Sequence, residues 1–176
     1  MGVANTLGWR SGARHLLQHS VAADPDDPYV LATLAHEQSL DGAWPQARET
    51  LLRCTELQPH DGRAWFNLGY VCEQLQRTEE AERCFRVATQ LAPELDRAWY
   101  GLGLALIAQD RLSEAAQALR VNTRLQPMSP YGWYQLGRVQ ADLGACDEAA
   151  ATIARLREFE PKVARQLERE TGLCAR

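Results

Sequence analysis

Apolar residues return along this chain in a helical rhythm, and the rhythm is itself repeated. Between Arg63 and Gln74, the residues Trp65, Leu68, Gly69 and Cys72 fall on one helix face. Between Thr78 and Leu91, Ala81, Phe85, Ala88 and Leu91 do the same. Gln76 and Arg77 separate the two stretches, so the pattern predicts two helices joined by a short turn. The pair of stretches recurs every 34 residues. Pro25, Pro59, Pro93, Pro127 and Pro161 keep that step, as do Ala13, Ala47, Ala81, Ala115 and Ala149. Leu17, Leu51, Phe85, Leu119 and Ile153 keep it with a large apolar side chain. Proline lacks an N–H and clashes with the preceding turn, so it ends each second helix. Gly42 and Gly144 stand where Gln76 stands, and glycine readily closes a helix. Pro28, Pro45 and Pro130 open helices, where a missing N–H costs little. A fixed period of this length marks a stack of like units.

The period is most legible in Trp65-Phe66-Asn67-Leu68-Gly69, Trp99-Tyr100-Gly101-Leu102-Gly103 and Trp133-Tyr134-Gln135-Leu136-Gly137. A weaker copy carries Leu31, Leu34 and Ala35. Tryptophan, then Leu-Gly three residues later, then alanine, a large apolar residue and proline is a pattern that resembles the tetratricopeptide repeat family. The resemblance implies an all-α, right-handed superhelical solenoid of antiparallel helix hairpins. It divides the chain into an N-terminal segment and half repeat at 1–27, then repeats at 28–61, 62–95, 96–129 and 130–163. A C-terminal capping helix and tail follow at 164–176. The half repeat matches only a second helix, over residues 9–23, and leaves an apolar edge around Trp9, Leu16 or Leu17. Such an edge invites weak self-association with another copy.

Composition narrows the class of function. At 176 residues, 45% hydrophobic and 24% charged, the chain has the make-up of a folded globular protein. A net charge of −4 gives no general nucleic-acid surface. No segment has the apolar length to span a membrane, and residues 1–14 do not read as a secretory signal. The start Met1-Gly2-Val3-Ala4-Asn5-Thr6 fits the short myristoylation pattern. A cytoplasmic location is the default expectation.

Nothing in the chain reads as a catalytic or cofactor site. The five cysteines, Cys54, Cys72, Cys84, Cys146 and Cys174, form no close pair and are expected to be reduced and mostly buried. His15 and His19 share a helix face but lack the further ligands a zinc site needs. The glycines fall in phase with the repeat and therefore serve helix packing. No cofactor and no metal is expected.

The tyrosines carry the functional signal. Counting from the first residue of each repeat, Tyr29 and Tyr131 stand at position two, Tyr100 and Tyr134 at five, and Tyr70 at nine. Phe66 is also at five. At about 100° per residue these positions form one stripe, roughly 130° from the tryptophan-leucine-glycine face. Arg63, Arg97, Arg138 and His36 lie on the same stripe, and no acid does in any of the four repeats. Leu104 and Ile107 extend an apolar floor, and Asn67 lies beside it. The family resemblance implies that this stripe lines the concave surface, the usual ligand groove. Packing between neighbouring first helices is the other reading of the same aromatics. The clamp by which some family members hold a chaperone's C-terminal carboxylate needs particular residues at places occupied here by Ala32, His36, Asn67, Arg97 and Gly101. Of these only Asn67 matches outright, and Arg97 keeps the charge.

The sequence therefore points to a non-catalytic scaffold, an adaptor or assembly chaperone. Its partner would be another protein's acidic and apolar peptide or helix. A self-assembling unit stacked through its repeat ends is the second reading, and a cysteine- or histidine-dependent redox or metal protein the third.

Overall fold

The computed structural model describes residues 17, 19, 20 and 22–172. Among them nine α-helices and no strand are found: α1 (Pro28–Leu40), α2 (Trp44–Leu57), α3 (Gly62–Gln74), α4 (Thr78–Leu91), α5 (Asp96–Ala108), α6 (Leu112–Leu125), α7 (Pro130–Asp142), α8 (Cys146–Phe159) and α9 (Pro161–Thr171). Successive helices form the hairpins α1/α2, α3/α4, α5/α6 and α7/α8, each second helix also packing on the first helix that follows. The result is an all-α solenoid of helix hairpins closed by α9, which lies against α7 and α8. Leu17, His19, Ser20, Ala22 and Ala23 are helical too. The apolar edge expected around Trp9 and Leu16, the start Met1–Thr6, and His15 lie outside the described residues.

The turn inside each hairpin is set by hydrogen bonding. Ala43 N–H donates to the Gln38 carbonyl, Arg77 to Cys72, Arg111 to Leu106 and Ala145 to Gln140, at 2.8 to 2.9 Å. This closure requires one residue in the left-handed region. Gly42 and Gly144 supply it at φ 72° and 73°. Gln76 and Asp110 supply it at φ 59° and 58°, where a side chain is strained. At the other end of the hairpins, the Trp65, Trp99 and Trp133 indole N–H groups donate to the carbonyls of Pro59, Pro93 and Pro127 at 2.8 to 3.0 Å. Each tryptophan thus fastens a first helix to the turn that precedes it.

Glycines let the helices meet. A Cβ on Gly69 would lie 2.8 Å from Phe85, and one on Gly103 would lie 2.8 Å from Leu119. Phe85 also faces Gly101 of the next first helix, and its ring is 6.0 Å from that of Phe66. At the C-terminal end Gly137 faces Leu167 of α9, so the capping helix fills the space beside the last repeat.

Cys54, Cys72 and Cys84 are buried free thiols, as the packing reading requires. Cys146 is exposed, because it opens α8 at the turn; Cys174 lies outside the described residues. Cys72 and Cys84 face each other in the places that Gln38 and Thr50, and Gln140 and Thr152, hold with side-chain hydrogen bonds of 2.9 and 2.7 Å. The contact with Cys72 and burial push the Cys84 thiol up, so it stays protonated.

The second helices are laced together by ion pairs. Arg48 binds Glu80, Arg120 binds Glu148, and Arg86 and Arg111 each reach both Glu82 and Glu114. Burial would push the Glu82 carboxyl up, but hydrogen bonds from Arg86, Gln109 and Arg111 outweigh it and hold it below its ordinary value.

The tyrosine and arginine face of the first helices

The first helices carry the candidate site because their caps and glycines fix how they face. Asp27 Oδ1 accepts from the Tyr29 N–H at 2.8 Å and Asp61 Oδ1 from the Arg63 N–H at 2.9 Å. Position two is therefore the second residue of the helix in α1, α3, α5 and α7. From there the stripe runs along one side of each helix.

The structure divides the stripe into open and packed parts. Tyr29 is 81% exposed and Tyr131 70%, while Tyr70 is 43% exposed with its ring edge-on to Trp44 at 6.2 Å. Arg63, Arg97, Arg138, His36 and Asn67 are exposed. Phe66, Tyr100 and Ile107 instead pack against the core, and Leu104 is half-buried. Position five thus serves packing between neighbouring helices. Its aromatic rings are half-buried against neighbouring helices, something a single period cannot reveal. Arg97 lies over the Phe66 ring, 5.3 Å from its centre, so this packed ring still presents a face to a cation.

Two recesses open on this face. One lies between α1 and α3 and is lined by Ala32, His36, Ser39, Asn67 and Tyr70. The other lies among α5, α7 and α9, with Tyr100, Tyr131, Tyr134, Gln135, Val163 and Gln166 around it. Arg63 and Arg97 have no carboxylate partner among the described residues, in contrast to the paired arginines of the second helices.

Two acids reach the face although none occupies the three stripe positions. Glu170 of α9 accepts a hydrogen bond from the Tyr134 hydroxyl, with Arg138 beside the same pair. That bond raises the Tyr134 phenol and, with a second from Gln166, lowers the Glu170 carboxyl. Tyr134 is therefore tied to the cap, packed beside the cluster of Ile153, Leu156, Ala164 and Leu167. Glu73, at the end of α3, is half-buried, and burial pushes its carboxyl up. Glu73 is visible in the sequence at the edge of the stripe, one helical turn beyond Tyr70. Glu170 lies outside the four periods, and only the docking of α9 brings it in.

Among the described residues no cluster of three or more His, Cys, Asp or Glu is placed to hold a metal. No helix there is long and apolar enough to cross a membrane.

A family model for the tetratricopeptide repeat matches residues 62–95, and a second tetratricopeptide model matches residues 80–122. The chain is a tetratricopeptide repeat protein. No curated protein sequence matches it. Solved structures match the fold along nearly the whole solenoid. The crystal structure of MamA is 23% identical with a TM-score of 0.82, over 94% of this chain and 98% of that one. YrrB, described as a TPR protein with an unusual peptide-binding site, is 19% identical at 0.77, over 90% of this chain and 85% of its own. The first TPR of Spaghetti (RPAP3), bound to the HSP90 peptide SRMEEVD, is 19% identical at 0.66, over 69% of this chain and 96% of its own.

Proposed function

We propose that this tetratricopeptide repeat protein is a non-catalytic scaffold, an adaptor or assembly chaperone, that holds a segment of another protein along the concave face of its first helices. One contrast carries the reading. Arg48, Arg86, Arg111 and Arg120 are bound to glutamates, whereas Arg63 and Arg97 face solvent without a carboxylate among the described residues, on the same stripe as the open rings of Tyr70 and Tyr131. A guanidinium is a planar fork of donors that matches a carboxylate, and a tyrosine gives broad apolar area with little side-chain entropy to lose. The chain shares its fold with proteins whose descriptions name a peptide-binding site or a bound peptide, which supports the same use here.

The test is a selection of random twelve-residue phage-displayed peptides on the full chain, with affinities of the winners measured by fluorescence anisotropy. Tyr131 is the tyrosine to change, because Tyr134 also holds the cap. Arg97→Glu combined with Tyr131→Ala should weaken these peptides at least about thirtyfold, since an anchor tyrosine and a charged contact together are worth roughly 2 kcal/mol or more. Arg83→Glu with Arg124→Glu, exposed changes on α4 and α6, should leave them bound. Binding lost through the second pair and kept through the first would move the site to the outer surface.

A further inference from the structure

Among the described residues, the recess between α5, α7 and α9 is lined by no charged side chain. Its walls are Tyr100, Tyr131 and Tyr134 with Pro130 and Val163, and its polar groups include the side-chain amides of Gln135 and Gln166. Glu170 is bonded to two of these residues, and both its oxygens are engaged. Oε2 accepts from the Tyr134 hydroxyl, and Oε1 accepts from the Gln166 amide at 2.9 Å. An ionic group of a ligand therefore finds no counter-ion among the lining residues. The recess suits an uncharged group that has much apolar surface and can accept hydrogen bonds.

The backbone around it narrows the choice further. Helices satisfy their own N–H and C=O groups, so this face cannot extend a bound segment as a strand. A polyproline II segment asks least of such a face. It has no internal hydrogen bonds and turns its carbonyls outward as acceptors, and each proline removes an N–H that would need a partner. Donors for those carbonyls stand in the recess, on the hydroxyl of Tyr131, a residue 70% exposed, and on the Gln135 amide. A helical ligand would press its apolar face on these donors and leave them unmatched. Tyrosine faces are electron-rich, and the C–H groups beside a proline nitrogen are electron-poor, so the two attract without any ion. The spacing agrees as well. Tyr100 and Tyr134 hold the same place on successive first helices, and packed helices lie about 8–10 Å apart. Polyproline II completes its turn of three residues in about 9 Å.

We propose that the recess of Tyr100, Tyr131 and Tyr134 is a subsite for a proline-rich stretch of the bound protein segment, held in polyproline II form, an inference that rests on the concave-face reading above. Two prolines three residues apart occupy it, one on Tyr100 and the other on the tyrosines of α7. Arg97, one helical turn before Tyr100 on α5, is exposed and takes an acid that flanks the prolines. The partner is therefore a proline-containing segment with an adjacent acid, not an amphipathic helix.

The phage-selected peptides give the test. Those enriched on the full wild-type chain should carry Pro-x-x-Pro beside Asp or Glu. Changing either proline to alanine should weaken binding about tenfold, through the lost ring contact and the lost stiffness of the free peptide. For one of the two prolines the same change should cost Tyr131→Ala no more than about twofold, the coupling that direct contact gives in a double-mutant cycle. Tyr131→Phe, which keeps the ring, should lose less than Tyr131→Ala. Winners patterned as an apolar helix without prolines, prolines replaceable within twofold on the wild type, or a proline effect undiminished on Tyr131→Ala would each overturn the subsite. The groove itself would still stand if Arg97→Glu with Tyr131→Ala removed binding. It would fall, and the subsite with it, if that pair bound normally or if no peptide were enriched.

Discussion

Gly101 lies against the tip of the Phe85 ring, so that a Cβ on it would sit 2.6 Å from the ring's Cζ. Gly69 meets the same ring at Cδ1 and Cε1, and the two glycines come from successive first helices, α3 and α5. Phe85 is thus the wedge between two neighbouring repeats. Gly101→Ala should destabilise the protein by about 1–3 kcal/mol, the usual effect of overfilling a packed core. Urea unfolding followed by circular dichroism measures this. Combining it with Phe85→Leu should recover part of the loss, because the smaller side chain vacates the contact.

Gln76 and Asp110 hold the left-handed turn that glycine holds at Gly42 and Gly144. The fold imposes this conformation against the side chain's preference. Gln76→Gly and Asp110→Gly should each stabilise the chain by about 0.5–1 kcal/mol, and Gly42→Ala should destabilise it by about 1 kcal/mol. Thermal or urea midpoints of the three variants check the opposite signs.

The arginine–glutamate lattice of the second helices makes stability acid-sensitive. Hydrogen bonds from Arg48 hold the Glu80 carboxyl below its ordinary value, and those from Arg86, Gln109 and Arg111 do so for Glu82 against burial. A folded-state pKa below the unfolded one means that the stabilisation is complete above the unfolded value, about 4.3 for glutamate, and is lost as pH falls through the folded value. The urea midpoint should therefore hold steady from neutral pH to about pH 5 and decline below that. Glu82→Gln should flatten the decline and lower the neutral-pH stability by about 1–2 kcal/mol, since its arginines remain partly wet.

The Tyr134 hydroxyl and Glu170 form the polar link between α7 and the cap. Tyr134→Phe removes the donor that does most to lower the Glu170 carboxyl. NMR titration should find that carboxyl moved up, towards the ordinary glutamate range.

Thiol chemistry should separate the cysteines by burial. Cys146 is expected to alkylate rapidly in the native protein. Cys54, Cys72 and Cys84 should react only on unfolding, and mass spectrometry of the alkylated protein reads each site.

The sequence by itself determined the helix pairs and their order. Proline at one fixed place, alanine at another and a large apolar residue at a third act on the chain near them, through sterics, capping and the 3.6-residue face. It also placed the tyrosines and arginines on one side of the first helices, because spacing along a helix is enough to say which residues share a face. The tertiary structure alone decided which of them remain open. Tyr131 stays in solvent while Tyr100, on the same stripe, is packed in, because cover comes from helices far along the chain. The same cause brings Glu170 onto Tyr134 from 36 residues away and sets Phe85 against a glycine of the next repeat. A period records what each helix turns toward its neighbours, whereas burial and charge pairing depend on which atoms those neighbours place there.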